Sequence, residues 1–189
     1  MFGLLGQWSP LRCLIDLLMA TIPLDRRFNE WCEDANEVQA RRRKAYLSHE
    51  RLAWSDLLAK RRVVILAEAG SGKTAELIAQ AKLQTAAGKI AFYATVQDVG
   101  REGLERALRP ADRDRLQAWR VGSEPAWFFI DSIDEAKFDN IKLERALRQL
   151  SEGIASAAAR AHIVLSGRHT DWEFARDARR FNEELPLSD

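Results

Sequence analysis

The chain carries the segment AEAGSGKT at residues 67–74, between the apolar run 63–66 and a stretch with helical periodicity. The run VVIL predicts a buried strand, because parallel strands that are covered on both faces read as continuous apolar runs. Gly70 and Gly72 allow the backbone to curl with its N–H groups on one side and no Cβ in the way. A helix that begins at Lys73 would add its positive N-terminal end. The segment therefore predicts a phosphate-binding loop that joins a buried strand to a helix.

Each part of this loop has an expected role. The residues predicted to bind a nucleotide are Ala69, Gly70, Ser71, Gly72, Lys73 and Thr74. Lys73 would reach the β- and γ-phosphates, and the Thr74 hydroxyl would bind the Mg²⁺ that bridges them. Ala67 stands at the first position of the pattern, where glycine is usual, and a negative φ makes alanine tolerable there. The alternative is a glycine-rich turn that only happens to contain Lys-Thr.

A second polar group follows the apolar run 127–130, where three carboxylates come in close succession: Asp131, Asp134 and Glu135. Ligands of open α/β sheets bind outside the carboxyl ends of the strands. Asp131 comes directly off the strand and is the candidate metal ligand. Asp134 or Glu135 is the candidate for orienting or deprotonating an attacking water.

An arginine ends the last predicted strand, 162–165, which is followed by Ser166, Gly167 and Arg168. We expect this strand between the strand of the phosphate loop and the strand that ends at Asp131. Arg168 would then sense the γ-phosphate and stabilise developing charge. The competing interpretation is a surface arginine that pairs with Asp131 or Glu135.

The order of elements indicates an α/β fold. Predicted strands at 63–66, 90–96, 127–130 and 162–165 alternate with helices at 73–87, at 102–119 with a restart at Pro110, and at 141–159. The last of these helices carries an apolar stripe of Leu143, Leu147, Leu150 and Ile154, and residues 170–173 read as a capping box before a final helix. Strands separated by helices imply parallel pairing with right-handed crossovers. Residues 1–54 are predicted to form a helical N-terminal arm of unknown role, with Phe28 on one apolar helix face, and residues 55–189 the core.

The net charge and the cysteine content limit the kinds of molecule that the chain is expected to bind. The formal net charge is +1, which gives no general attraction to nucleic acid, although the basic run 41–44 could contact phosphates. The two cysteines, Cys13 and Cys32, match no zinc or disulfide pattern. The apolar segment 1–24 is interrupted by Pro10, Arg12 and Asp16, so a membrane helix is not expected. We expect a cytoplasmic protein whose N-terminal helices contact a partner or a second copy.

Taken together, these motifs resemble the nucleotide-binding core of STAND NTPases, and in particular their NACHT branch. The resemblance rests on AEAGSGKT at 67–74, FFIDSIDEA at 128–136 and IVLSGR at 163–168. Typical AAA+ proteins place Glu directly after the metal-binding Asp, whereas here the small Ser132 follows and a second acidic pair comes at 134–135. Residues 184–189 also resemble the strand and "PLS" segment that leads into the family's next domain.

The resemblance implies a three-layer α/β/α P-loop NTPase core with a parallel sheet of order 5-1-4-3-2. It also implies ATP, less often GTP, with Mg²⁺, slow hydrolysis, and use as a switch in signal sensing, often in defence. Winged-helix and sensor domains would follow residue 189, so we expect the chain to be part of a longer protein. The alternatives are a nucleotide-binding interaction module without significant hydrolysis and an AAA+-like DNA-associated ATPase.

Overall fold

A parallel sheet forms the centre of the molecule, as seen in a computed structural model that describes residues 28, 52–133, 143–185 and 187. Its strands are β1 (Arg62–Leu66), β2 (Ile90–Thr95), β3 (Ala126–Asp131) and β4 (Ala161–Gly167). All neighbours pair in parallel, and the strand order is β1-β4-β3-β2. The predicted α/β class with parallel pairing is therefore confirmed. The order also agrees with the 1-4-3-2 part of the expected sheet, and no fifth strand occurs among the described residues.

Seven α-helices accompany the strands in the described part of the chain: α1 (Trp54–Ala59), α2 (Lys73–Ala86), α3 (Val96–Glu102), α4 (Leu104–Ala107), α5 (Pro110–Val121), α6 (Leu143–Ile154) and α7 (Phe174–Glu184). Two 3-10 helices, Ala155–Arg160 and His169–Asp171, flank β4. None of the described helices has the length and apolar character needed to cross a membrane.

The helices cover both faces of the sheet. Because successive side chains of a strand point to opposite faces, Phe128 and Phe129 are both fully buried but in different apolar clusters. Phe129 packs with residues of α1 and α2, whereas Phe128 packs with residues of the helices α3 to α7. This arrangement is compatible with a three-layer α/β/α fold.

The predicted helix 102–119 is correct only in its restart at Pro110, because the chain before Pro110 is divided between the short helices α3 and α4. Gly103 has a φ of 81°, a left-handed conformation that ends α3 and separates it from α4. Arg109 is extended because the ring of Pro110 disfavours helical geometry in the residue before it. Pro110 itself opens α5 in its first turn, as predicted.

The predicted capping box at 170–173 is also wrong. Thr170 lies in the 3-10 helix His169–Asp171, and the chain is extended at Trp172, so its hydroxyl is too far back to cap α7. Helix α7 begins at Phe174 with Glu173 as N-cap. The Glu173 backbone N–H donates instead to the carboxylate of Asp177, over 3.0 Å.

Part of the predicted N-terminal arm is not helical. Phe28 and Leu52 form an antiparallel bridge, with N–H···O distances of 2.8 and 2.9 Å in the two directions. This pairing satisfies backbone groups that a helix would have bonded locally, so the helical prediction fails at these two residues. The other residues of segment 1–54, including Cys13, Cys32 and the run 41–44, lie outside the described residues except for 53 and 54.

Candidate functional site

The phosphate-loop motif forms the connection from β1 to α2. Gly70 and Gly72 have φ values of 70° and 82°, the left-handed region that glycine adopts without strain. A Cβ built on Gly70 would meet no atom within 4 Å, so backbone conformation rather than crowding favours glycine there. Gly72 is the N-cap of α2, and Lys73 is the first helical residue. The loop therefore has the strand-to-helix context that the motif predicts.

Backbone donors gather at the start of α2. The Glu76 N–H donates to the Gly72 carbonyl over 3.0 Å and closes the first helical turn. The N–H groups of residues 73–75 precede that bond and lie at the positive end of the helix. Residues 68–70 and 72 are exposed, so this end of the helix faces solvent. Such a helix start is suited to bind an anion.

The Lys73 ammonium lies across its own loop. It donates to the carbonyl oxygens of Ala67, at 3.2 Å, and Glu68, at 2.9 Å. Both acceptors are neutral, and an ammonium makes stronger hydrogen bonds to ionised oxygens. Thr74, in the next position, is exposed. A phosphate at the loop would compete with these carbonyls for the ammonium.

Trp54 of α1 contacts the same helix from the side. Its indole Nε1–H donates to the Glu76 carboxylate over 2.7 Å, in the first turn of α2. The ring centroid of Trp54 lies 5.2 Å from that of Phe28 and 6.4 Å from that of Phe129, both edge-on. The segment before the core is thus attached to the helix that carries Lys73.

Asp131 ends β3 and is almost completely buried, with 1% of its surface exposed. Its neighbours at this edge are set by the strand register, which pairs it with Thr95 of β2 and places it beside the end of β4. Asp131 has the same parity as Phe129, so its side chain lies on the α2 face of the sheet. Strand β1 is two strands away, about 10 Å. The carboxylate therefore lies on the face and at the edge where α2 begins.

Two hydroxyl groups hold this carboxylate. The Ser166 Oγ donates to one oxygen of Asp131, and the Tyr93 hydroxyl donates to the other over 3.2 Å. Ser166 also accepts the N–H of Ser132 at 3.3 Å. Ser132 has a φ of 68°, which turns the chain sharply directly after Asp131.

Arg168 follows β4, which lies between β1 and β3 as predicted. Its side chain is exposed at the same sheet edge as the loop and Asp131. Asp131 accepts hydrogen bonds from two hydroxyls, and the alternative pairing of Arg168 with Glu135 involves a residue outside the described part of the chain. Next to Arg168, the His169 Nε2 lies 3.2 Å from a carboxylate oxygen of Glu68 and links this turn to the loop.

Of the residues predicted from sequence, the structure places 67–74, Asp131 and Arg168 at one edge of the sheet. Asp134 and Glu135 lie outside the described residues, as does most of the segment 186–189. Sequence reasoning missed Tyr93 and Ser166. Ser166 could have been found as the polar residue that ends an apolar strand, but the reach of Tyr93 across to Asp131 requires the strand register.

The surroundings of Asp131 can be compared with the needs of Mg²⁺, the metal that the sequence predicts. No cluster of three or more His, Cys, Asp or Glu side chains that could hold an ion occurs within 52–133 and 143–185. Mg²⁺ does not require such a cage, because it keeps several waters and is bound through one or two carboxylates together with substrate phosphates. A single buried carboxylate near a phosphate loop fits Mg²⁺ in this mode.

Comparisons with known proteins add no family to this description. No protein-family model matches the chain, and no curated protein matches it with significant similarity.

Proposed function

We propose that this chain is a Mg²⁺-dependent ATP-binding module of the STAND class, with a NACHT-like nucleotide site. The observation that carries the proposal is the juxtaposition at one sheet edge. A loop with two left-handed glycines leads into a helix that starts at Lys73, and the buried Asp131 lies on the same face of the sheet. ATP with Mg²⁺ is the ligand that would use both parts at once.

The residues of the loop would bind and orient the nucleotide. The backbone N–H groups at the start of α2 and the Lys73 ammonium would bind the β- and γ-phosphates. Thr74 and Asp131 would hold the metal and its water shell, and Arg168 would contact the γ-phosphate. When bound, Mg²⁺ neutralises charge on the phosphate oxygens. The same site would also take GTP, because the phosphates and the metal that it contacts are common to both nucleotides.

We also propose that the fold is that of a P-loop NTPase core. A P-loop NTPase core of three layers would carry a fifth strand next to β1, which is an outer strand in the described sheet. The family resemblance places that strand near 184–189, but Glu184 ends α7 and Leu185 is its C-cap, so these two residues are not part of it. Partner or self-association through the N-terminal segment, a cytoplasmic location and a role in signal sensing are proposed with it.

Hydrolysis is assigned to residues outside the described part of the chain. The sequence assigns it to Asp134 and Glu135, in the segment 134–142 that the structure does not describe. A slow ATPase that acts as a switch is proposed on the sequence resemblance. Binding of nucleotide is proposed on the geometry of the loop and Asp131.

Substitution of Lys73 by alanine tests the binding site. We expect Lys73→Ala to weaken binding of a fluorescent ATP analogue with Mg²⁺ by roughly ten- to hundred-fold, since a charge-assisted hydrogen bond contributes about 1.5–3 kcal/mol. The affinity is measured by equilibrium fluorescence titration of the full chain.

Lys82→Ala is the matched control, because Lys82 is an exposed lysine on the same helix, outside the loop. It should bind the analogue as wild type does. Equal binding by wild type and Lys73→Ala would contradict the proposed function.

A further inference from the structure

We infer that Tyr93 is a positioning residue for the magnesium ligand Asp131, acting together with Ser166. The inference rests on the proposed function, because it assigns a role within the metal half of that site. Tyr93 belongs to no motif that the sequence brings out, and Ser166 lies in the segment IVLSGR at 163–168 without a role assigned to it. Both are identified by their contacts with the Asp131 carboxylate.

The ring and the hydroxyl of Tyr93 lie in different surroundings. Tyr93 pairs with Phe129 in the register of β2 and β3, two residues before the level of Asp131. Its ring packs against the apolar cluster on the α2 face, where Phe129 is fully buried. Its hydroxyl extends along that face and donates to Asp131 over 3.2 Å. The apolar cluster thereby fixes where the hydroxyl donor lies.

Ser166 supplies the second donor from the other side. It is fully buried at the end of β4, and its hydroxyl donates to the carboxylate oxygen that Tyr93 does not contact. The same hydroxyl accepts the N–H of Ser132 on a lone pair, which leaves its hydrogen for the carboxylate. One donor on each oxygen fixes the plane of the Asp131 carboxylate.

With these two hydrogen bonds formed, the Asp131 carboxylate still has acceptor sites for a metal or for its bound water. Each carboxylate oxygen has two acceptor sites, and each of the two hydroxyls occupies one of them. The remaining sites can accept hydrogen bonds from metal-bound water. Groups that hydrogen-bond to a metal ligand orient it, and their loss typically weakens metal affinity or activity by roughly 10–100-fold. Tyr93 and Ser166 are placed to do this for Asp131.

Tyr93→Phe tests the inference because it removes one oxygen and keeps the ring in its cluster. The full chain is titrated with Mg²⁺ at a fixed concentration of a fluorescent ATP analogue, and binding of the analogue is measured again in EDTA. We expect the Mg²⁺ concentration at half-maximal effect to rise about tenfold in Tyr93→Phe. Affinity in EDTA should stay within about twofold of wild type, because Lys73 and the loop are unchanged.

Further variants make the test specific to the Asp131 carboxylate. Ser166→Ala should shift the Mg²⁺ dependence in the same direction, and in an Asp131→Asn background Tyr93→Phe should have no additional effect. Thr85→Val is the control, because it removes an exposed hydroxyl that donates to the Ala81 carbonyl at the far end of α2. Circular dichroism establishes that each variant is folded.

The results distinguish a failure of this inference from a failure of the proposed function. An unchanged Mg²⁺ dependence in Tyr93→Phe and Ser166→Ala overturns the inference and leaves the proposed function standing. An equal loss of affinity with Mg²⁺ and with EDTA also overturns it, because that result indicates a structural role only. Wild type that binds no nucleotide at all overturns the proposed function and the inference with it.

Discussion

At the scale of single residues, Asp131 is the most informative, since its buried carboxylate is bonded by neutral donors. Burying a carboxylate is costly unless it is hydrogen-bonded or paired with a cation. In the described part of the chain, Tyr93 and Ser166 supply the hydrogen bonds without supplying positive charge. The carboxylate is therefore held at the sheet edge by groups that bring no charge of their own.

His162 is a second residue with a defined electrostatic environment. Its Nδ1 lies 2.9 Å from the Lys60 carbonyl oxygen, and its ring stacks on Trp127 with centroids 4.9 Å apart. Because a carbonyl only accepts, Nδ1 carries the proton of the neutral ring. Burial lowers the pKa of His162 below its ordinary value of 6.5, and the nearby charges of Arg61 and Lys89 lower it further. The Lys60 hydrogen bond opposes this shift in part.

We predict that His162 makes the fold less stable in mild acid. Since its pKa is lower in the folded than in the unfolded chain, the unfolded chain binds more protons in the interval between the two values. This contribution to stability is present above the unfolded pKa of about 6.5 and is lost as the pH falls towards the folded value. The urea midpoint of wild type should fall more steeply between about pH 7.5 and about pH 5.5 than that of His162→Gln. Parallel pH dependence in the two proteins would contradict the prediction.

At the scale of elements, local signals predicted the ends of some helices better than others. The Leu143, Leu147, Leu150 and Ile154 stripe predicted for α6 is confirmed, and all four residues are buried. Gly88 follows α2 with a φ of 79°, as a glycine after a helix end should. Gly103 was overlooked because a single glycine inside a helical pattern is often tolerated. The positive φ of Gly103 ends α3, and α4 then packs against α6; a periodic sequence pattern displays neither feature.

Gly153 of α6 marks that packing. A Cβ on Gly153 would lie 2.6 Å from the Cβ of Leu104 and 2.8 Å from its Cδ2. Leu104 is buried in α4, so it has little room to move away. The carbonyl of Gly153 also accepts two hydrogen bonds from the Arg120 guanidinium, at 2.9 and 3.0 Å. Gly153 thus allows α4, α5 and α6 to approach closely.

Gly153→Ala should destabilise the fold although alanine favours helix. Overpacking costs about 1–3 kcal/mol, whereas replacing a helical glycine by alanine gains about 1 kcal/mol. We expect a net loss of about 1 kcal/mol in the free energy of unfolding, measured by urea denaturation. Ser151→Ala on the same helix is the control and should change stability by less than about 0.5 kcal/mol. A more stable Gly153→Ala protein would show that α4 can shift without cost.

At the scale of the whole molecule, the strand order places the site. The pattern of strands and helices predicted parallel pairing, and the loop motif predicted which strand and helix it joins. The separation across the sheet between Leu66, where the loop begins, and Asp131 could not be predicted from the local sequence pattern. It depends on β4 lying between β1 and β3, an order expected from the family resemblance. Side-chain partners such as Tyr93 depend further on the register of β2 with β3.

Because the loop and Asp131 are both anchored in the sheet, ligand binding should stabilise the whole domain. At a ligand concentration about 100 times Kd, the stabilisation is about 2.7 kcal/mol. For a chain of this size each kcal/mol raises Tm by roughly 2–4 °C, so Mg²⁺-ATP should raise Tm by about 5–10 °C. Differential scanning fluorimetry measures the shift. Lys73→Ala should show little or none of it, whereas Lys82→Ala should retain it.

The hydrogen bond from Trp54 to Glu76 gives the protein an internal optical probe. The indole is half-buried, and its Nε1–H is bonded to a carboxylate in the first turn of α2. Indole emission depends on the charge and polarity near the ring, so a rearrangement of that turn changes the emission of Trp54. Trp119 and Trp172 belong to the apolar cluster on the opposite face of the sheet, whereas Trp127 lies in the cluster that Trp54 packs against. A rearrangement of the first turn of α2 can thus be followed in the unlabelled chain by the emission of Trp54.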